Sequence, residues 1–365
     1  MNYRLATVLA ERSLGAAGVE TIDLNVQDPI SRIEIGYKIT LEDYAMLAAL
    51  VTPITKVELV DGSDVLHSMN GRQNQALCIF DRRVPTMNHD IIASGAGSHA
   101  ALGIDFGRFL YDPELAFDPK KFRNPQLKIT HNRALLSAAT STHSIEVMAH
   151  CFDERVISPI GFLQAREHYV WTPSTNNEYG YCDLPTDMPI RQLLLRPYLT
   201  QVNPSNVVDY FRLSEDNDKR IPIDVELTAY IKRMKGVWLM LTEGCGDTLW
   251  DSAVIKKYVT PTEEETNWMA TQVTGSNSQY CPNLGAAITG GYVQMISSTS
   301  GVNFQGRVFG YVPHHCIQFP FGRQDQLDDW YDVTRLGSLK ARMQAAASCS
   351  TTSEVSIILQ QLRKY

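Results

Sequence analysis

The sequence predicts an all-β protein built from two antiparallel sandwiches in tandem, and an internal repeat is the main reason. Residues 23–40 (DLNVQDPISRIEIGYKIT) return as residues 183–200 (DLPTDMPIRQLLLRPYLT), 160 positions further along the chain. Residues 126–152 are matched in the same way by residues 338–362, here with an offset of 212. The second copy therefore carries an insertion of 52 residues, the difference between the two offsets.

Strands with one buried face account for the repeated segments. In the first copy apolar and polar residues alternate with a period of two, which is typical of a strand that covers a core. The apolar residues are Ile33, Ile35, Tyr37, Ile39 and Leu41, and the polar ones are Arg32, Glu34, Lys38 and Thr40. In the second copy Leu193, Leu195 and Leu199 keep the same parity. A slip of one residue would turn every side chain over, so the match indicates two copies of one pattern.

A hairpin followed by a short helix is predicted in each copy. Residues 56–68 and 210–222 each run from an alternating strand into a turn of Asp, Gly or Asn and on into a further strand. The stretches that follow, GRQNQALCIF (71–80) and DVELTAYIKRM (224–234), have helical character. Strands at short intervals with turn-rich joints favour a sandwich architecture.

This pattern divides the chain into three parts. Residues 1–19 form an N-terminal arm, residues 20–160 the first sandwich and residues 161–365 the second. The arm is mildly amphipathic and leaves two interpretations open. It is either a short surface helix that docks on a neighbour or a membrane surface, or a frayed terminus without a role.

The second sandwich contains an insertion at about residues 236–315 that has no counterpart in the first. Thr262 is followed three residues later by Glu265, a capping-box spacing that predicts a short helix within residues 261–273. The remainder is rich in Gly, Ser and Asn. It predicts long loops at one end of the sandwich, where recognition surfaces are common.

Composition excludes several classes of protein. A formal net charge of −7 disfavours a protein whose main affinity is for nucleic-acid phosphate, because that affinity comes from clustered Lys and Arg. The seven cysteines are odd in number and form no C-x-x-C pair, which favours buried reduced thiols and assembly in a reducing cytoplasm. Arg4, Glu11 and Arg12 interrupt any signal-peptide core, and no apolar run is long enough to span a bilayer.

The candidate nucleotide and metal motifs are expected to be structural segments. GAGSHA at 95–100 matches a dinucleotide fingerprint, but no helix pattern follows it, so a flexible loop is expected. His314 and His315 are adjacent and would face opposite sides of a strand, so they and Cys316 are expected to be structural strand residues rather than metal ligands. EGCGD at 243–247 places a thiol between two acids and is expected in a surface loop.

Acidic pairs and aromatic residues are equally unspecific. Asp328 with Asp329, and the acids at 263–265, are expected on solvated faces. The aromatic residues of the insertion could stack on sugars or fill subunit contacts, and these are Trp238, Trp250, Trp268, Tyr280 and Tyr292. We therefore predict no catalytic, cofactor-binding or metal site in this chain.

The repeated opening segment, the strand with its Asp-Gly turn and the closing strand pair resemble the double-jelly-roll major capsid proteins of tailless icosahedral bacteriophages, including those with an internal membrane. The resemblance covers most of residues 20–365. It implies two eight-stranded jelly rolls side by side, and a homotrimer that forms a pseudo-hexagonal capsomer. It further implies outward towers built from long loops, and an N-terminal arm on the inner face near neighbouring capsomers or the membrane.

A structural role follows from the resemblance. We expect a major capsid protein, made in the host cytoplasm and located in the virion. Its expected partners are copies of itself, penton and minor capsid proteins and an internal membrane surface, without specific nucleic-acid binding. The alternative is a two-domain jelly-roll protein that binds or degrades glycans, which should carry a signal peptide and a row of carboxylates and aromatics. A double cupin would need clustered metal-ligating histidines that the sequence lacks.

Overall fold

The structure is a computed structural model. It describes residues 1–41, 47–85, 87–92, 97–136, 140–249, 254–263, 267–274, 277–280, 288–296 and 302–365. Among these residues no helix has the length and hydropathy needed to cross a membrane.

The first half of the chain forms nine strands and a helix. They are β1 (Tyr3–Ser13), β2 (Ala17–Asp23), β3 (Ile30–Leu41), β4 (Ile54–Asp61), β5 (Asp64–Met69), α1 (Gly71–Arg82), β6 (Asn88–Ile92), β7 (Gly97–Asp105), β8 (Pro125–Asn132) and β9 (Thr140–Phe152). Strands β1-β9-β3-β7 lie against β2-β8-β4-β5, with β6 added beside β7. This is an eight-stranded jelly roll with one extra strand.

The second half repeats the arrangement and adds the insertion. Its elements are β10 (Gly161–Trp171), β11 (Tyr179–Leu184), β12 (Ile190–Tyr198), β13 (Val208–Glu215), β14 (Arg220–Glu226), α2 (Leu227–Met234), β15 (Leu241–Leu249), β16 (Val254–Tyr258), β17 (Asn267–Thr274), β18 (Asn277–Tyr280), β19 (Ile288–Thr289), β20 (Tyr292–Ile296), β21 (Val302–Gly310), β22 (Ile317–Pro320), β23 (Leu339–Ala345) and β24 (Glu354–Lys364). Strands β10-β24-β12-β22 lie against β11-β23-β13-β14. The predicted double jelly roll is therefore confirmed.

The alternation along β3 and β12 places the core as predicted. Ile33, Ile35 and Tyr37 belong to the core of the first jelly roll and are at most 1% exposed. Leu193 and Leu195 are fully buried in the core of the second. These residues project from one face of their strand, so the two cores lie between the two sheets of their own jelly roll.

Both predicted helices are present, and each directly follows a hairpin. Helix α1 begins after Asn70, whose side chain accepts a hydrogen bond from the backbone N–H of Gln73 while the Gln73 side chain accepts one from the Asn70 backbone. This reciprocal capping box satisfies two donors at the helix start. Helix α2 buries Leu227 and Ile231, one turn apart, against the second core.

The N-terminal segment is a strand, so both interpretations of the arm are wrong. Strand β1 pairs antiparallel with β9, from Tyr3 beside Phe152 to Ser13 beside Ser144. Backbone pairing to β9 offers each N–H and C=O a partner, and this decides the conformation of a segment whose own pattern is weak.

The described residues of the insertion lie mostly in strands, whereas long loops were predicted. Strand β15 pairs in parallel with β6 and antiparallel with β21, which extends the first sheet in the order β7-β6-β15-β21-β17-β18. The predicted helix at 261–273 is wrong, because β17 occupies Asn267–Thr274 and pairs with β21. The Thr262 hydroxyl donates to the carbonyl of Val312 (2.9 Å) instead of capping a helix, and Glu265 lies outside the described residues.

Candidate assembly surfaces

The two jelly rolls of one chain are joined edge to edge. Strand β5 ends one sheet of the first jelly roll and lies parallel to β10, which ends one sheet of the second, with Ser68 paired to Arg166. The Asp64 carboxylate receives two hydrogen bonds from the Arg363 guanidinium, at 3.1 and 2.5 Å. This two-pronged ion pair holds the start of β5 against β24, the strand next to β10.

Helix α1 covers this edge contact with apolar side chains. Leu77 of α1 and Met69 of β5 pack with Ala165, Leu194 and Ile358, which lie on three neighbouring strands of the second jelly roll. All five are buried to 6% exposure or less. Apolar area removed from water in this way stabilises the docking of one jelly roll on the other.

A polar network at the end of α1 adds to the same contact. Asp81 accepts hydrogen bonds from Arg191 (2.6 Å), Gln192 (2.7 Å) and Gln360 (2.7 Å). The side chains of Asp81 and Arg191 are each only 4% exposed. A buried ion pair is tolerated when further hydrogen bonds satisfy its remaining atoms, as these glutamine amides do for the carboxylate.

The base of the insertion is anchored to the first jelly roll. The Asn88 side chain on β6 donates to the Thr260 hydroxyl (3.0 Å), and the Thr242 N–H donates to the carbonyl of Pro85 (3.1 Å). Together with the parallel pairing of β6 and β15, these bonds make the base of the insertion a second connection between the halves.

His314, His315 and Cys316 lie in a turn before β22, so the expected strand position is wrong. Both histidines have positive φ, 49° and 67°, and both are buried. The His314 Nε2 is 2.6 Å from the Gln75 Oε1, and burial lowers the pKa of His314 to about 3. The side chain therefore links the turn to α1 as a neutral imidazole. Within the described part of the chain no group of three His, Cys, Asp or Glu residues could hold a metal ion.

The two glycine-containing motifs also lie on strands. Residues 97–100 of GAGSHA begin β7, so the fingerprint is not followed by a helix and the loop expected there is wrong for these four residues. Residues 95 and 96 lie outside the described residues. EGCGD belongs to β15 instead of a surface loop, and the buried Glu243 carboxylate accepts the N–H of Thr260 at 2.5 Å.

Glu263 is buried, in contrast to the solvated face expected for it. Its carboxylate accepts the backbone N–H groups of Tyr311 (2.6 Å) and Val312 (3.0 Å). Burial raises the pKa of Glu263. Asp328 and Asp329 lie in a short 3₁₀ turn before Trp330.

The insertion aromatics that the structure describes contribute to packing. Trp238 is 7% exposed and lies against the rings of Phe80 and Tyr230, and Tyr292 is 5% exposed. The side chains of the other three lie outside the described residues, and these are Trp250, Trp268 and Tyr280. Trp238 and Tyr292 are therefore not available for stacking on a sugar.

Sequence reasoning missed an exposed tyrosine face on the outer side of the β11-β23-β13-β14 sheet. Tyr179, Tyr181 and Tyr210 are 46%, 64% and 42% exposed, and the Arg342 guanidinium lies 5.4 Å from the centre of the Tyr179 ring. The signal was present in the alternation of YGYCDL at 179–184. Tyrosine and arginine are enriched in protein–protein contacts, so this face is a further candidate surface.

Comparison with known proteins finds likeness in structure alone. No protein-family model matches the chain, and no curated protein matches it. Among solved structures, the MCP of STIV (Sulfolobus Turreted Icosahedral Virus) is similar over 100% of this chain and 98% of its own, with a TM-score of 0.61 and 11% identity. VP54 of PBCV-1 is similar over 99% and 94%, with a TM-score of 0.59 and 10% identity.

The major capsid protein P2 from bacteriophage PM2 is similar over 100% of this chain and 98% of its own, with a TM-score of 0.54 and 8% identity. These neighbours are double-jelly-roll capsid proteins. The chain therefore has the double-jelly-roll fold found in major capsid proteins of icosahedral viruses, as the resemblance noted from its sequence led us to expect.

Proposed function

We propose that this chain is a major capsid protein, the repeated structural subunit of an icosahedral virus shell. One observation carries the proposal: the fold matches capsid proteins along the whole chain and along nearly the whole of each neighbour. The protein is then made in the host cytoplasm and located in the virion. Its role is structural, without a catalytic site, cofactor or metal.

Three copies form the assembly unit in this proposal. In this proposal the chain divides between residues 160 and 161 into two similar units, a division supported by the gap between β9, which ends at Phe152, and β10, which begins at Gly161. A threefold ring of such chains presents six similar units and can tile a facet as a pseudo-hexagon. Copies of the same chain are the main partners. Penton and minor capsid proteins and an internal membrane surface complete the list, and the insertion projects outward as a tower.

The test is the mass and outline of the purified full-length protein. Light scattering should give three times the 40.9 kDa of one chain, and negative-stain images should show hexagonal outlines. A monomer at every concentration, together with the absence of the protein from purified virus particles, would refute the proposal. Binding to a glycan array by a monomer would favour the glycan-binding alternative.

A further inference from the structure

Two strands that have an edge without a neighbour among the described residues correspond to the pair already joined within the chain. Strand β14 is the edge strand of the sheet β11-β23-β13-β14. In the same way β5 is the edge strand of β2-β8-β4-β5, and there it lies beside β10. Strand β1 ends its sheet beside β9, as β10 lies beside β24. Open strand edges present rows of backbone donors and acceptors and readily accept a further strand.

The equivalence of these strands can be set residue by residue. In the first hairpin Asp61 pairs with Asp64, and in the second Glu215 pairs with Arg220, so Asp64 and Arg220 occupy the same position. Each hairpin leads through one cap residue into its helix, α1 or α2. With the same separation in the sequence as between Asp64 and Arg220, Leu77 of α1 corresponds to Arg233 of α2.

Strands β1 and β10 share an irregularity that fixes their alignment. The β1–β9 pair shifts register between Thr7 and Leu9, and the β10–β24 pair shifts between Glu167 and Tyr169. On both sides of the shift, the β24 residue paired with β10 has a number 210 higher than the β9 residue paired with the equivalent position of β1. With the same offset Arg363 corresponds to Asp153. A β-bulge at one place in both copies is a specific structural match.

We propose that β14 and α2 of one copy dock on β1, β9 and β3 of a second copy, in the way that β5 and α1 dock on β10, β24 and β12 within the chain. This inference rests on the proposed capsid function and names the contact that builds its trimer. Three such contacts alternate with three intrachain junctions and close a ring of six jelly rolls.

Charge complementarity supports the second copy as the occupant. In the intrachain junction Asp64 pairs with Arg363. The equivalent residues are Arg220 and, on the second copy, Asp153. The contact between copies therefore also joins opposite charges, with the two signs exchanged. Arg220 is 69% exposed at its side chain and Asp153 37%, so both can be reached by a second copy. Within the chain Arg220 lies 3.1 Å from Glu215 and Asp153 lies 3.9 Å from Arg4, and both keep exposed surface for a second partner.

The apolar centre of the junction is likewise replaced by a complementary pair. Leu77 packs with Leu194 within the chain. The equivalent residues are Arg233, which is exposed on α2, and Glu34 on β3, which has a side chain 40% exposed. The neighbouring Ala165 corresponds to Leu5, which is 54% exposed. The contact between copies is therefore more polar than the intrachain one, as suits surfaces that must stay soluble before assembly.

A charge-exchange experiment tests the contact. Arg220→Glu and Asp153→Arg each place like charges together and should raise the concentration at which the trimer dissociates at least about tenfold. The double variant restores an opposite pair and should restore assembly. Arg335→Glu is the control for a surface charge reversal, because Arg335 is 90% exposed and belongs to none of the strands and helices that meet in the proposed contact, and it should assemble like the wild type.

A second measurement does not depend on the ion pair. By the same alignment Asp224 corresponds to Ser68 and Ala6 to Arg166, the two residues paired in the intrachain junction. Cysteines at neighbouring strand positions are close enough to form a disulfide. Asp224→Cys with Ala6→Cys should therefore yield covalent dimers and trimers on a non-reducing gel, whereas each single variant should not.

The outcomes separate this inference from the proposed function. A wild-type trimer with no effect of either charge reversal, and no cross-linked species from the cysteine pair, would overturn the contact and leave the capsid function standing. A wild-type protein that stays monomeric in the same assay would overturn both. Loss of assembly in both single variants with recovery in the double variant would support the contact. Circular dichroism of each variant shows whether it is folded.

Discussion

Asp81 should contribute more to the stability of this protein than any surface carboxylate, because it joins the two jelly rolls. Its buried carboxylate accepts hydrogen bonds from Arg191, Gln192 and Gln360. In an Asp81→Ala variant the guanidinium remains buried without its counter-ion, and two amide groups lose an acceptor. Removing one partner of a buried ion pair costs about 3–5 kcal/mol.

The magnitude can be checked by thermal unfolding. For a chain of this length that unfolds in one step, such a loss corresponds to a fall in the melting temperature of roughly 4–7 °C. Wild type and variant must be compared at one protein concentration, because subunit association also stabilises the folded state. Circular dichroism or calorimetry gives the midpoint.

A surface aspartate provides the matched control. Asp325 pairs with Arg323 at 3.3 Å, but the two side chains are 61% and 67% exposed. Exposed pairs contribute little, so Asp325→Ala should change the stability by less than about 0.5 kcal/mol. If Asp81→Ala destabilised the protein no more than this control, the network would not hold the jelly rolls together and the reasoning would be refuted.

Three further predictions concern pH, metal and packing. Burial lowers the pKa of His67 to about 3, below its unfolded value of about 6.5, so its neutral form stabilises the fold above pH 6.5 and this stability is lost as the pH falls. Between pH 7 and pH 5 the free energy of unfolding, measured in urea, should therefore fall by roughly 2 kcal/mol less for His67→Gln than for the wild type. Equal falls in the two proteins would contradict this. EDTA should leave the melting temperature and the oligomer unchanged, whereas a fall reversed by one metal would direct attention to residues 314–316. Phe117→Ala empties a fully buried site between aromatic rings and should cost about 3–5 kcal/mol, while Phe109→Ala, at a position 53% exposed, should cost less than about 1 kcal/mol; equal effects would argue against the described core.

The repeat and its strand parity were sufficient to predict most of the architecture. The alternation around Ile35 and Leu195 identified strands whose buried faces the structure confirms. The hairpins and their helices followed from turn residues and local periodicity. These features can be predicted because burial of every second residue, or of one helix face, produces a pattern of apolar residues within a few neighbouring positions.

Predictions that depended on distant partners were wrong. The pattern of the segment Tyr3–Ser13 is too weak to indicate a strand, and its backbone partners lie on β9, more than a hundred residues later. The insertion was expected to form loops and a helix, although β15, β17 and β21 pair there. Glycine-rich and polar strands of this kind carry no local signal that separates them from loops.

The class of fold and the duplication could be predicted from composition and short-range pattern. Which strand edges are joined, and which have no neighbour among the described residues, depends on three-dimensional packing. The pairing of β5 with β10, the network around Asp81 and the free edges of β1 and β14 all bring together residues far apart in the chain. Strand pairing satisfies backbone groups that every residue possesses, so its partners are chosen by three-dimensional packing and cannot be read from side-chain pattern alone.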